Sequence, residues 1–294
     1  MSGLIEPQVF VTAKPGERPE SCQDVAWFDP AVAGGPVAGF AVADGATGGW
    51  DGRRWAELVV DAAADAIAEA GGAIDGRWVR AELADALDRA RETWRLESPS
   101  SEPTTDPVAA LARAKFKTSG GQCTLTAGVL WAGTEGSWHL RAFAVGDSPL
   151  VHLRPSDDGY RVLLAAPQHR ADQFDTHPTL ISSKPPGPGA VVPGLSAIAI
   201  DDLAVGDAVL VMTDAIAAWA LHRDEVIGDP WGVLVGLDHA GFGALIDRTR
   251  TTDEMAADDV LLLRMTIAAQ PYRALPTVGP LTTPTQPIGP GGGR

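Results

Sequence analysis

The sequence predicts an α+β fold in which antiparallel sheet forms the centre and helices cover it. From Cys123 to Ala165 strand-like runs succeed one another (Cys123 to Trp131, Trp138 to Val145, Leu150 to Leu153, Arg161 to Ala165), each followed by Gly, Asp or Pro. From Arg53 to Ala70 and from Arg77 to Leu96, by contrast, Ala, Leu, Val, Ile and Trp recur at helical spacing between charged residues, which predicts two amphipathic helices broken at Gly71 and Gly72. The hydrophobic share is 45% of 294 residues, enough for a sizeable core without disulfide or metal staples.

The remaining elements follow in order. A run around Val25 to Phe28, a Gly/Pro turn at Gly34 to Pro36 and the run Val37 to Ala43 read as a hairpin that ends on Asp44. Glu97 to Pro107 is rich in Ser, Thr and Pro and is expected to be a loop. Between Pro167 and Pro193 there is no periodicity, only prolines, glycines and two histidines, so a long surface excursion is expected there. Val209 to Met212 is a buried strand, Ala215 to Leu221 the start of a helix, and Val260 to Ile267 a final strand. The domain is thus expected to span residues 1–270. Residues 271–294, rich in proline and glycine with little to bury, are expected to form a disordered tail.

Charge narrows the function. The formal net charge of -15 opposes attraction to nucleic acid or an anionic membrane, and no apolar run reaches the ~20 residues of a membrane span. No signal peptide is recognisable at the start, and the two cysteines, Cys22 and Cys123, fit a reducing cytoplasm. Cys22 is expected to be a packed thiol, His169 and His177 solvent-facing loop residues, and Trp27, Trp55, Trp94 and Trp219 packing residues. The glycines at 48, 49 and 52 lack the GKS or GKT string of a nucleotide-binding loop.

Asp24, Asp44, Asp147, Asp214 and Asp258 each lie beside an apolar run and next to a small or polar residue. Carboxylates in such places are costly to desolvate unless paired, and 23 Lys plus Arg face 38 Asp plus Glu. Hard divalent cations, Mg²⁺ or Mn²⁺, could supply the missing positive charge through oxygen ligands. Strand-end aspartates also cap helices and make turns.

The words that carry these aspartates decide between the readings. SCQDVAWF, FAVADGATGG, GGQCTLTAGVL, AVGDSPLVHLR, VLVMTDAIAAW and AADDVLLLRM occur in the order found in metal-dependent protein phosphatases of the 2C type, which the sequence resembles from about Lys14 to Ile267. The resemblance implies a four-layer αββα sandwich of two antiparallel sheets flanked by helices, with two Mn²⁺ or Mg²⁺ ions at one end. It implies further that Asp44 bridges the ions, that Gly45 offers its carbonyl, that Asp24 supports the second ion, and that Asp214 and Asp258 complete the first. Asp147 matches a ligand of a looser third ion. Asp44, Asp214 and Asp258 are thereby the catalytic candidates and Arg18 the phosphate-binding one. The implied activity is hydrolysis of phosphoserine or phosphothreonine in a protein or peptide, by direct attack of water, in a system that would include a Ser/Thr kinase partner. The chain departs from the pattern at Ala46, where many relatives carry a histidine that protonates the leaving alkoxide, at Ala215 and Leu261, and at Arg18, one residue further from Asp24 than is usual. Those departures keep open a pseudophosphatase, or phospho-partner-binding regulator, with the same fold and little turnover; an enzyme acting on a small phosphorylated metabolite is a further alternative.

Overall fold

The computed structural model describes residues 4–32, 37–70, 76–97, 105–133, 137–174, 177–184, 192, 194–226 and 228–268. Its strands in chain order are β1 (Leu4–Thr12), β2 (Val25–Asp29), β3 (Val37–Ala43), β4 (Gln122–Cys123), β5 (Leu125–Ala132), β6 (Trp138–Val145), β7 (Leu150–Ser156), β8 (Gly159–Ala166), β9 (Ile181–Ser182), β10 (Ser196–Leu203), β11 (Ala208–Met212) and β12 (Val260–Ala268). The helices are α1 (Gly52–Glu69), α2 (Gly76–Leu96), α3 (Pro107–Thr118), α4 (Asp214–Val226), α5 (Pro230–Gly236) and α6 (His239–Thr251). Two five-stranded antiparallel sheets result, in the orders β1-β12-β11-β7-β8 and β10-β6-β5-β3-β2, with β4 and β9 as a small separate pair.

Strand periodicity explains how the sheets stack. In β11, Val209 and Val211 pack toward the other sheet with Phe40, Val42, Leu140, Leu261 and Leu263. Ala208, Leu210 and Met212 point the opposite way, against Ile216 and Trp219 of α4 and Phe242 and Ile246 of α6. Because both faces are covered, β11 is apolar throughout. On the far side of the second sheet Trp55, Val59 and Ile67 of α1 and Leu83, Leu87 and Trp94 of α2 meet Ala41, Ala43, Leu125 and Phe143. The order of layers is therefore helix, sheet, sheet, helix, the αββα sandwich expected from the sequence.

The structure adds elements that periodicity does not reveal. The expected loop ends at α3, whose start is set by Asp106, accepting a hydrogen bond from the Val108 amide at 2.9 Å, and by Pro107 in the first turn. Val108 and Leu111 are exposed on it, so its apolar residues trace no buried stripe. Asp229-Pro230 and Asp238 start α5 and α6 in the same manner. The 167–193 excursion is not wholly on the surface: Ile181 and Ser183 are buried, and the Trp55 indole donates to the Ile181 carbonyl at 2.9 Å. The Gly34 to Pro36 turn, the Gly71-Gly72 break and the 271–294 tail lie outside the described residues. Among those described, no helix is long and apolar enough to cross a membrane.

Candidate metal centre

Strand register brings the aspartates to one end of the sandwich. Val25 pairs with Ala43, which sets Asp24, just before β2, across from Asp44, just after β3. On the other sheet Met212 pairs with Leu262, and Thr213 continues the pairing: its amide donates to the Leu261 carbonyl at 3.1 Å and its hydroxyl accepts from the Leu261 amide at 2.9 Å. Asp214 in the first turn of α4 and Asp258 ahead of β12 thereby meet. Asp147 follows β6, whose Val145 pairs with Leu125, and Gly146 makes the turn with φ +96°. Thr124 joins these parts: its amide donates to the Asp44 carbonyl at 2.9 Å, its hydroxyl accepts from the Asp44 amide at 3.1 Å, and that hydroxyl lies 2.6 Å from Ser148 Oγ.

Gly45 is closed in by backbone. A Cβ there would sit 2.6 Å from the Gly52 carbonyl oxygen and 2.9 Å from that of Gln23, so alanine would push the start of α1 away. Arg53 of α1 fixes the segment before Asp24 by donating to the Cys22 carbonyl at 2.8 Å.

Electrostatics shows how strained the cluster is. Burial pushes the Asp24 carboxyl well above the ordinary carboxylate range and the charge of Asp44 adds to it, while the nearby Thr213 hydroxyl opposes without forming a hydrogen bond of good geometry. Asp44 is raised well above that range by burial and then by Asp214, Asp258, Asp147 and Asp259, four negative charges that converge on it. Burial and Asp258 raise Asp214. Both carboxylate oxygens of Asp24, and Oδ1 of Asp214, are buried without a hydrogen-bond partner. Leaving such atoms unsatisfied costs several kcal/mol, roughly 1 to 3 for each neutral polar group and more for a charge.

Two residues that the sequence reading passed over belong to this end. Asp259 is buried; its Oδ1 accepts from the Lys14 amide at 2.9 Å and its Oδ2 from the Gln23 amide at 2.9 Å, which ties β12 to the ends of two other segments. Lys14 places its ammonium 2.8 Å from Asp258 Oδ1 and 2.8 Å from Thr47 Oγ1. Burial works against that charge, but the hydrogen bond and charge of Asp258, with Asp259 and Glu17, raise its pKa above the usual lysine value. Adjacent aspartates at a strand start, in AADDV, were the available signal for Asp259, because neighbours in a strand face opposite ways. A lone lysine before a Pro-Gly turn carried no comparable signal.

The other candidates fall as follows. Arg18 is exposed, beside an open hollow that it lines with Glu17, Glu20 and Ser21. Cys22 is buried, and burial followed by the charges of Asp24 and Asp259 pushes its thiol up to about 12, so it is a packed and unreactive group. His169 and His177 are exposed. A cavity of about 280 Å³ borders Asp147, with Gln168, His177 and Thr179 in its wall.

The donor set is chemically suited to hard divalent cations: it is all oxygen, and buried lone pairs on Asp24 and Asp214 have no other partner. Among the described residues, no three His, Cys, Asp or Glu side chains are arranged to hold an ion as they stand. The carboxylates are gathered at one end but not closed around a point, and Asp258 is engaged by Lys14.

Similarity to solved structures shows that the chain has the fold of the PPM/PP2C-type serine/threonine phosphatases. A serine/threonine phosphatase of S. agalactiae superimposes with TM-score 0.57 at 14% identity, covering 90% of this chain and 99% of that one. The PPM Ser-Thr phosphatase MsPP from Mycobacterium smegmatis, solved with cacodylate, gives 0.52 at 19%, covering 91% and 100%. PppA, a regulatory component of the Pseudomonas aeruginosa T6SS, gives 0.53 at 18%, covering 90% and 98%. No protein-family model and no curated protein matches the sequence.

Proposed function

We propose that the chain is a Mn²⁺- or Mg²⁺-dependent serine/threonine protein phosphatase. The observation that carries the reading is the convergence of Asp24, Asp44, Asp147, Asp214 and Asp258, with buried oxygens of Asp24 and Asp214 left without partners. In this reading Asp44, Asp214 and Asp258 hold one ion, Asp44, the Gly45 carbonyl and Asp24 a second, and Asp147 a looser third. Bound there, the ions would neutralise the carboxylates and lower the pKa of water so that it attacks phosphorus at neutral pH.

The chain's own residues do the rest. Asp44 is held by Thr124 through its backbone, so its carboxylate keeps one position between the two sheets. Gly45, having no side chain, lets α1 close against the site. Water's oxygen forms the new bond to phosphorus as the seryl or threonyl oxygen leaves; that alkoxide takes its proton from solvent, since Ala46 has none to give. Arg18, which is exposed, would have to reach in to contact the phosphate oxygens, and the cavity beside Asp147 would take residues flanking the phosphoamino acid. The catalytic unit would be residues 1–270 with 271–294 as an appended tail, acting in the cytoplasm on phosphoproteins made by a Ser/Thr kinase.

Ala46 and the exposed Arg18 favour a second reading, a pseudophosphatase that binds a phosphorylated partner. Phosphate release from a phosphothreonine peptide, titrated with Mn²⁺ from a fully chelated start, separates the two. The phosphatase reading expects saturable Mn²⁺-dependent release; peptide binding without release supports the pseudophosphatase, and release persisting in excess chelator contradicts both.

A further inference from the structure

We propose that Lys14 is a tethered competitor of the divalent cation at Asp258, and that this lysine sets how tightly the ion is held there. The inference rests on the cation-binding reading above and adds to it a residue that belongs to none of the matched motifs.

The geometry has three parts. The ammonium of Lys14 lies 2.8 Å from Asp258 Oδ1 and is braced on its other side by Thr47 Oγ1 at 2.8 Å. The backbone beneath it is fixed: the Lys14 amide donates to Asp259 at 2.9 Å, and the Ala13 carbonyl accepts from Arg250 at 3.1 Å, the same guanidinium that donates to the Asp258 carbonyl. The side chain is only 17% exposed while Asp258 is 43% exposed, so the lysine covers the inner side of a carboxylate whose outer side is open.

The consequence is electrostatic. A cation on either oxygen of Asp258 would face a positive charge a few ångströms away, or would have to drive that charge off a charge-assisted hydrogen bond. Either route weakens binding of that ion, while Asp24, which has no ion pair among the described residues, is not engaged in this way. In the ion-free protein the lysine partly neutralises the cluster by pairing with Asp258.

Calorimetric titration of Mn²⁺ into the full chain tests this with wild type, Lys14→Met and Lys14→Arg. Lys14→Met should bind the ion at Asp258 roughly tenfold more tightly, the scale of one charged hydrogen bond. Lys14→Arg, which keeps the charge, should stay within a few-fold of wild type. Ion-free Lys14→Met should melt below wild type yet gain more from added Mn²⁺. Equal or weaker Mn²⁺ binding by Lys14→Met would overturn the proposal, and absence of Mn²⁺ binding in wild type itself would overturn the cation-site reading beneath it. Should Lys14→Met fail to fold, Thr47→Val removes one brace and keeps the charge; it should tighten the ion at Asp258 by a smaller factor, and no change would count against the lysine.

Discussion

Asp207 and Asp24 are both buried aspartates, yet the molecule treats them in opposite ways. Asp207, ahead of β11, accepts hydrogen bonds from the Ala204 amide at 2.9 Å and from Arg154, and lies 2.7 Å from His152 Nε2. Burial alone would raise its pKa, but these partners override it and bring the carboxyl to about 2. Asp24 has no hydrogen-bond partner on either oxygen and is pushed the other way, above the ordinary range. A carboxylate with all its donors supplied is part of the scaffold. One left buried and crowded by like charges costs stability, a cost that a cation bound beside it would offset.

The largest effect that would sharpen the contrast is on turnover. Asp44→Asn should lower hydrolysis of a phosphothreonine peptide by roughly 10³-fold with the fold intact by circular dichroism. Asp207→Ala should act on the fold instead. Removing one partner of a buried charged network costs about 3 kcal/mol or more, read as a lower urea midpoint, while the activity of the protein still folded stays near wild type.

The stability effects of the two sites should also differ in sign and in pH dependence. For Asp207 the folded pKa lies below the unfolded value near 3.9, so its contribution, on the order of 2 kcal/mol, is present above that value and is lost as pH falls toward 2. Asp24 has its folded pKa raised, so what it contributes is present at low pH and is lost as pH rises through the raised value. In chelator, Asp24→Asn should therefore be more stable than wild type at neutral pH, and the difference should shrink on acidification. Asp24→Asn melting below wild type at neutral pH in chelator would break the comparison. The smallest effect belongs to Cys22→Ser, which should keep most activity and change stability by about 1 kcal/mol, because the thiol is packed and unreactive.

How much of this was legible in the sequence depended on what each residue's signal was for. Strands buried on both faces, such as Val209 to Met212 and Val260 to Ile267, announced themselves as apolar runs, and α1 and α2 as amphipathic stripes. Helices α3, α5 and α6 begin at Asp-Pro or Asp caps that were readable but were outweighed by the Ser, Thr and Pro content or lack of a stripe around them. Strand β1, Leu4–Thr12, contains Glu6, Pro7 and Gln8 and sits at a sheet edge, where proline is tolerated, so its alternation was hidden. The five aspartates were singled out by the ordered words that carry them, since a place beside an apolar run fits a cap or a turn equally well. Asp259 had only its neighbour Asp258 as a signal and Lys14 had none, since their contact arises from register across 245 residues of chain.

Equilibrium dialysis of Mn²⁺ against wild type and Asp44→Asn tests the central claim most directly, because it counts ions without requiring turnover. Wild type should retain two ions per chain in dilute Mn²⁺, and Asp44→Asn should lose tight binding of both, since each is held partly by that carboxylate. No retention above background by wild type, or equal retention by the variant, would show that the aspartates gathered at this end of the sandwich are not a cation site.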